Sequence, residues 1–147
     1  MTLHGVKILK FASLIIKSIM AKLDNKKILI VEDDSLLSGM LARKFIEEKA
    51  VIEHATDGEI ALSMINSNSY DLVLVDLLLP KLNGFDILAS AQSNEKTKNI
   101  PIIILSNTGQ KADVEKGLRL GAKKFLIKAL FSVEEIVDAS VEVLNSK

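Results

Sequence analysis

From Lys26 onward, short apolar runs alternate with stretches in which apolar residues recur at helical spacing. Ile28 to Val31 (ILIV), Leu72 to Val75 (LVLV) and Ile102 to Leu105 (IIIL) are continuous and rich in β-branched residues, the pattern of strands covered on both faces of a parallel sheet. Val51 to Ala55 (VIEHA) and Lys124 to Lys128 (KFLIK) mix apolar with polar residues, as edge strands do. Between these runs the spacing predicts helices over about Ser35 to Lys49, Gly58 to Ser67, Gly84 to Ser93, Lys111 to Leu120 and Ser132 to Asn145. Five strand–helix units in alternation imply right-handed crossovers and an α/β fold built on a doubly wound, five-stranded parallel sheet. With the three apolar runs inside and the two mixed ones at the edges, the arrangement agrees with a known doubly wound order, 2-1-3-4-5. Such a sheet binds ligands beyond the carboxyl ends of its strands, at the switch point between strands 1 and 3.

The polar residues that follow each run converge on that rim. Strand 1 is followed by Glu32-Asp33-Asp34, strand 3 by Asp76, strand 4 by Ser106-Asn107-Thr108 and strand 5 by Lys128. Asp33 and Asp34 beside Asp76 make a cluster of carboxylates whose repulsion calls for a cation. Oxygen donors, with no cysteine and with His4 and His54 expected far from the rim, favour Mg2+ over zinc. Lys128 offers a compact positive charge and Ser106 a hydroxyl, both suited to a phosphoryl group, and a carboxylate can itself be the nucleophile. Each residue also has a structural explanation. Asp34 or Ser35 is a good helix N-cap, Ser106 to Thr108 can be loop polarity, and a lysine after a strand is often simply solvated. Asp76 is the hardest to explain that way, because an acid among Val75, Leu77, Leu78 and Leu79 needs a partner if buried.

Composition narrows the class further. At 147 residues the chain fits one ordinary domain. Its 19 basic and 19 acidic side chains balance, leaving no electrostatic footprint for nucleic acid. The balance hides a division: residues 1–22 hold four lysines and no acid, so in a neutral chain residues 23–147 carry a formal −4. The absence of cysteine removes disulfides, thiolate metal sites and a Cys nucleophile, and suits a reducing cytoplasm. No window reaches the roughly 18 apolar residues of a membrane span, and Phe11 to Ile16 is too short for the apolar region of a signal peptide. A cytoplasmic location is therefore expected.

The organisation expected is a basic amphipathic extension over residues 1–25 and a domain over residues 26–147. On a helical wheel Lys7, Lys10, Ser13, Lys17, Ser18 and Lys22 gather on one side, and Ile8, Ala12, Ile15, Ile16, Ile19 and Leu23 on the other. Residues 6–23 could lie on an anionic membrane surface or pair with a partner helix. Met20-Ala21-Lys22 would equally make a natural beginning.

Over about Lys26 to Lys147 the sequence resembles the receiver domain of two-component response regulators, of the chemotaxis-receiver kind with its flavodoxin-like fold. The resemblance is carried by ILIVEDD (Ile28 to Asp34), LVLVDLLLPKLNGFDIL (Leu72 to Leu88), PIIILSN (Pro101 to Asn107) and GAKKFLIK (Gly121 to Lys128), with Pro80, Asn83 and Gly84 matching the family's turn after the acceptor. It implies that Asp33 and Asp34 hold Mg2+ together with Asp76 and the backbone carbonyl of Leu78. Asp76 then accepts phosphate from a histidine kinase or histidine phosphotransfer protein, and Ser106 and Lys128 contact the phosphoryl oxygens. Ser106 and Phe125 would form the switch, although Phe125 reads equally well as a core aromatic. Two positions depart from the family pattern. Ala129 replaces the usual proline after the strand-5 lysine; since a cis bond to alanine costs roughly 2.5 to 4 kcal/mol, a trans bond or a reshaped loop is expected. Asn107 is bulkier than the small residue usual there.

The chain ends at Lys147, shortly after the fifth helix of the domain, so a stand-alone regulator is expected that signals by protein contact to a downstream target. Homodimerisation through the fourth helix, fifth strand and fifth helix is one such contact. It is read as a phosphoacceptor, not a turnover enzyme. The main rival is a pseudo-receiver that binds proteins without using phosphate, for which Ala129 and Asn107 speak. An aspartate-nucleophile phosphohydrolase would carry a second acid where Leu78 stands, and a flavin phosphate would be repelled by the acidic loop EDDSLLSG.

Overall fold

The computed structural model describes residues 2–146, apart from the side chains of residues 17–22. Lys17, Ser18, Ile19 and Lys22, which the sequence assigns to the two faces of the first helix, thus lie outside the described side chains. The helix α1 (Leu3–Leu23) leads into five strand–helix units: β1 (Lys27–Val31), α2 (Ser35–Glu47), β2 (Val51–Ala55), α3 (Gly58–Ser67), β3 (Leu72–Asp76), α4 (Gly84–Gln92), β4 (Ile102–Ser106), α5 (Lys111–Arg119), β5 (Lys124–Ile127) and α6 (Val133–Asn145). All strands are parallel in the order β2-β1-β3-β4-β5, as the apolar and mixed runs predicted.

The central strands are buried on both faces, and their period of two sorts the side chains into two cores. Ile28, Ile30, Leu72, Leu74, Ile103 and Leu105 pack with Leu41 and Phe45 of α2 and Ile136 of α6. Leu29, Val31, Val73, Val75, Ile102 and Ile104 pack with Ile65 of α3 and with Ile87 and Leu88 of α4. Each fully buried side chain of this size contributes about 1.5 to 3 kcal/mol of transfer free energy, so β3 is held from both sides and its last residue, Asp76, is fixed in direction. The edge strand β2 buries only Ala55.

Local sequence sets the helix ends at the functional rim. Asp34 caps α2, its Oδ1 accepting from the N–H groups of Leu36 and Leu37 at 2.9 and 3.2 Å. Asn83 and Asp86 form a capping box that starts α4, and Ser132 with Glu135 does the same for α6. Gly84 is required where α4 meets β3: a Cβ there would stand 2.8 Å from the Asp76 carbonyl oxygen.

Candidate functional site

The side chains at the carboxyl ends of β1, β3 and β5 meet at one point. Oxygen atoms of Glu32, Asp33 and Asp76, one from each carboxylate, lie within 4.8 Å of one another. Glu32 and Asp76 are 1% and 4% exposed, whereas Asp33 faces solvent. Lys128 reaches between the two buried acids, its Nζ 2.8 Å from Glu32 Oε2 and 3.1 Å from Asp76 Oδ2. Three carboxylates against one ammonium leave a local charge of −2.

This geometry changes the sequence reading at one position. Asp34 was expected to join Asp33 at the cluster, but its carboxylate is engaged in capping α2, and Glu32 takes the place beside Asp33. The reason is local. Because α2 starts at Ser35, the last of three consecutive acids becomes its N-cap, and only the first two remain for the rim. Glu32 Oε1 accepts from the Asp34 N–H at 3.2 Å, which holds this turn closed. The capping preference of Asp34 was the signal that could have identified Glu32.

A second residue was misplaced. His54 was expected far from the rim, yet its Nε2 lies 2.8 Å from the Glu32 carbonyl oxygen, and protonated at that nitrogen it donates to it. The register explains this, since His54 pairs with Ile30 and Ala55 with Val31, bringing the end of β2 alongside the end of β1.

The electrostatics follow from burial and pairing. Burial pushes the Glu32 carboxyl above its ordinary range; the Lys128 ammonium paired with it opposes this and the neighbouring Asp76 charge reinforces it. Burial by itself would lower the Lys128 ammonium, but Glu32 and Asp76 outweigh it and hold Lys128 above the ordinary lysine value. Lys128 is therefore charged. Glu32 Oε2 is buried and makes no hydrogen bond among the described residues, its contact with Lys128 being an ion pair alone.

The remaining sequence candidates surround this centre. Ser106 is buried at the end of β4, and its Oγ accepts from the Thr108 N–H at 3.2 Å. The Leu78 N–H donates to Asp76 Oδ1 at 3.3 Å, which turns the chain away from β3 and leaves the Leu78 side chain in solvent. Phe125 is half-buried on β5 against Ile104 and Gly117 of α5. Lys128 to Leu130 form a single 3-10 turn, and there is no cis peptide bond among the described residues, as the alanine at 129 led us to expect. Asn107 is exposed and lines, with Asp34, Leu36, Leu37, Met40, Lys128 and Ala129, a cleft of roughly 390 Å³ beside the acids.

A strand-end acid on β3, a partly buried lysine after β5 and an acid pair after β1 on a 2-1-3-4-5 sheet define a receiver-type protein. The profile of the response regulator receiver domain matches residues 28–140, and the chain belongs to that family. It is similar to the transcriptional regulatory protein YcbL of Bacillus subtilis, 39% identical over 106 residues, which is 72% of this chain and 46% of that protein. Among solved structures it is similar to the receiver domain of the Francisella response regulator 1452, at 32% identity and a TM-score of 0.74, covering 82% of this chain and 96% of that one. A response regulator from Chloroflexus aurantiacus is 29% identical, with a TM-score of 0.76 over 82% of this chain and 98% of that one. The chain spans about half the length of several curated relatives it matches, for instance 46% of YcbL.

Proposed function

We propose that this protein acts in the cytoplasm as a response regulator receiver, which takes a phosphoryl group on Asp76 from a histidine kinase or histidine phosphotransfer protein. The observation that carries the reading is the buried Asp76 carboxylate, held 3.1 Å from the Lys128 ammonium beside Glu32 and Asp33. In the transfer an Asp76 oxygen attacks phosphorus, the P–N bond of the phosphohistidine breaks, and the imidazole leaves with the electron pair and takes up a proton. Lys128 stands ready to share the negative charge of the phosphoryl oxygens, and the Ser106 hydroxyl to bond one of them.

The donor set fits a divalent ion. The oxygens are hard, the cluster's charge is −2, and Glu32 Oε2 is buried without a hydrogen bond. Glu32, Asp33 and Asp76 would hold Mg2+ together with the Leu78 carbonyl, and the ion, when bound, supplies charge neutralisation for the transferring phosphoryl group.

The apolar residues Leu36 and Met40 beside the cleft, 72% and 46% exposed, offer the phosphodonor a footing next to Asp76. The output surface in this reading is the face of α5, β5 and α6, by which the protein would contact a downstream target or a second copy of itself. As a phosphoacceptor it is consumed in the transfer and is not a turnover enzyme. The phosphate-independent pseudo-receiver remains the second reading, supported by Ala129 and Asn107. Lys128 reaching Asp76 in spite of Ala129 favours the first.

The test is intact-mass analysis after treatment with acetyl phosphate, with and without Mg2+, on wild type and Asp76→Asn. A Mg2+-dependent phosphoryl adduct on the wild type alone is expected. No adduct, or the same adduct on Asp76→Asn, sinks the phosphoacceptor reading.

A further inference from the structure

The first helix presents a surface that the receiver body does not cover. Leu23, at its C-terminal end, is fully buried in the core beneath α2 and α6. Toward the N-terminus the situation reverses, with Ile8, Leu9, Phe11, Leu14, Ile15 and Ile16 each between 46% and 67% exposed. Six large apolar side chains within nine positions are more contiguous apolar surface than a monomer in water ordinarily leaves open. Lys7 and Lys10 are exposed on the same helix, and no acid occurs in the first 22 residues.

We propose that α1 is an in-plane anchor that binds the surface of an anionic lipid bilayer. Charge selects the partner. Two copies pairing through α1 would bring four lysines against four more with no acid to offset them, whereas anionic headgroups neutralise each lysine. The distribution around the helix selects lipid over a protein groove. At about 100° per residue Leu14 falls between Lys7 and Lys10, and Phe11 flanks Lys7. A groove would cover the side of Ile8, Ile15 and Ile16 and leave Leu14 and Phe11 in water. At a bilayer interface the apolar groups on all these sides enter the boundary of headgroups and acyl chains, while the lysine stems bend so that their ammonium groups reach the headgroups. The helix lies along the surface and does not cross it, since no helix among the described residues is long and apolar enough to span a membrane. The body from residue 23 onward carries a formal −4 and is repelled by the same surface, which leaves α1 as the attaching element. This attachment is independent of phosphotransfer at Asp76.

The experiment is flotation of the full chain with vesicles of phosphatidylcholine containing phosphatidylserine, compared with vesicles of phosphatidylcholine alone. The wild type is expected to float with the anionic vesicles and to stay at the bottom with the neutral ones. Lys7→Glu/Lys10→Glu should lower the bound fraction by at least about tenfold, raised salt should release the wild type, and Ile15→Asp/Ile16→Asp should abolish binding. Both variants should keep the wild-type unfolding midpoint, because these side chains lie outside the core. Four results overturn the proposal: no flotation, equal flotation on neutral vesicles, unchanged flotation of the two variants, or a concentration-dependent dimer by light scattering in a chain that does not float.

Discussion

Lys128 Nζ lies 2.8 Å from Glu32 Oε2, so the residue after β5 is tied to the residue after β1 across the ends of β4 and β3. The tie has both its charges largely withdrawn from water, the two side chains being 13% and 1% exposed. Removing one partner of such a pair leaves the other charge buried and uncompensated.

Lys128→Met is therefore expected to destabilise the protein by about 3 kcal/mol, read by urea unfolding at neutral pH. The loss should shrink in mild acid. Glu32 has a raised pKa, so it takes up its proton early as pH falls and relieves the unpaired charge. Equal urea midpoints for the two proteins would show that the tie does not support the fold.

The division of labour among the three consecutive acids is open to a direct comparison. Glu32→Gln should weaken Mg2+ binding by at least about tenfold in calorimetric titration. Asp34→Ala should cost about 1 kcal/mol of stability through loss of the α2 cap and leave Mg2+ affinity nearly unchanged. The reverse pattern would return Asp34 to the metal site.

Two glycines should respond with opposite sign. A Cβ at position 84 meets the Asp76 carbonyl oxygen at 2.8 Å and Leu77 Cα at 3.0 Å, backbone atoms that cannot swing aside. Gly84→Ala is expected to destabilise by about 1 to 3 kcal/mol and to slow phosphorylation, because the strain falls on the backbone of Asp76, the proposed acceptor. A Cβ at position 39 meets nothing within 4 Å inside α2. Gly39→Ala should therefore stabilise by about 0.5 to 1 kcal/mol, measured in the same urea series.

The edge strand supplies a pH test remote from the site. Glu53 accepts a hydrogen bond from the Tyr70 hydroxyl and pairs with Lys27 at 3.1 Å, and the Tyr70 bond is the largest cause holding its pKa below the usual 4.5. A carboxylate with a depressed folded pKa contributes stability that is present above 4.5 and is lost as pH falls through the folded value. Tyr70→Phe should be less stable than wild type at neutral pH, and the gap should narrow as the medium is acidified below 4.5. A gap that stays constant across that range would assign the effect of Tyr70 to something other than Glu53.

The fold was legible because its signal is periodic and repeated. Five apolar runs with intervening helical spacing specify alternating strands and helices, and the contrast between ILIV, LVLV and IIIL on one side and VIEHA and KFLIK on the other specifies which strands lie inside. Asp76 was legible for the related reason that a charge closing an apolar strand cannot be explained by solvation. The helix ends shifted by a residue or two, α2 stopping at Glu47, where the turn places Lys49 in the left-handed region at φ 73°.

What the sequence could not decide was which of several adjacent polar groups points where. Glu32, Asp33 and Asp34 are chemically near-equivalent in a linear string. Only the start of α2, which draws Asp34 into its cap, and the depth of β1, which buries Glu32 against Lys128, separate their roles. His54 was misjudged for the same reason, since its nearness to Glu32 depends on the β1–β2 register and not on any local pattern. The sequence by itself determined the layers, the strand order and the place of Asp76 at the strand-end rim, because burial of apolar surface follows periodicity along the chain. The tertiary structure decided the partners of each charge, because ion pairs form between residues up to 96 positions apart, as Glu32 and Lys128 are, and no local spacing records them.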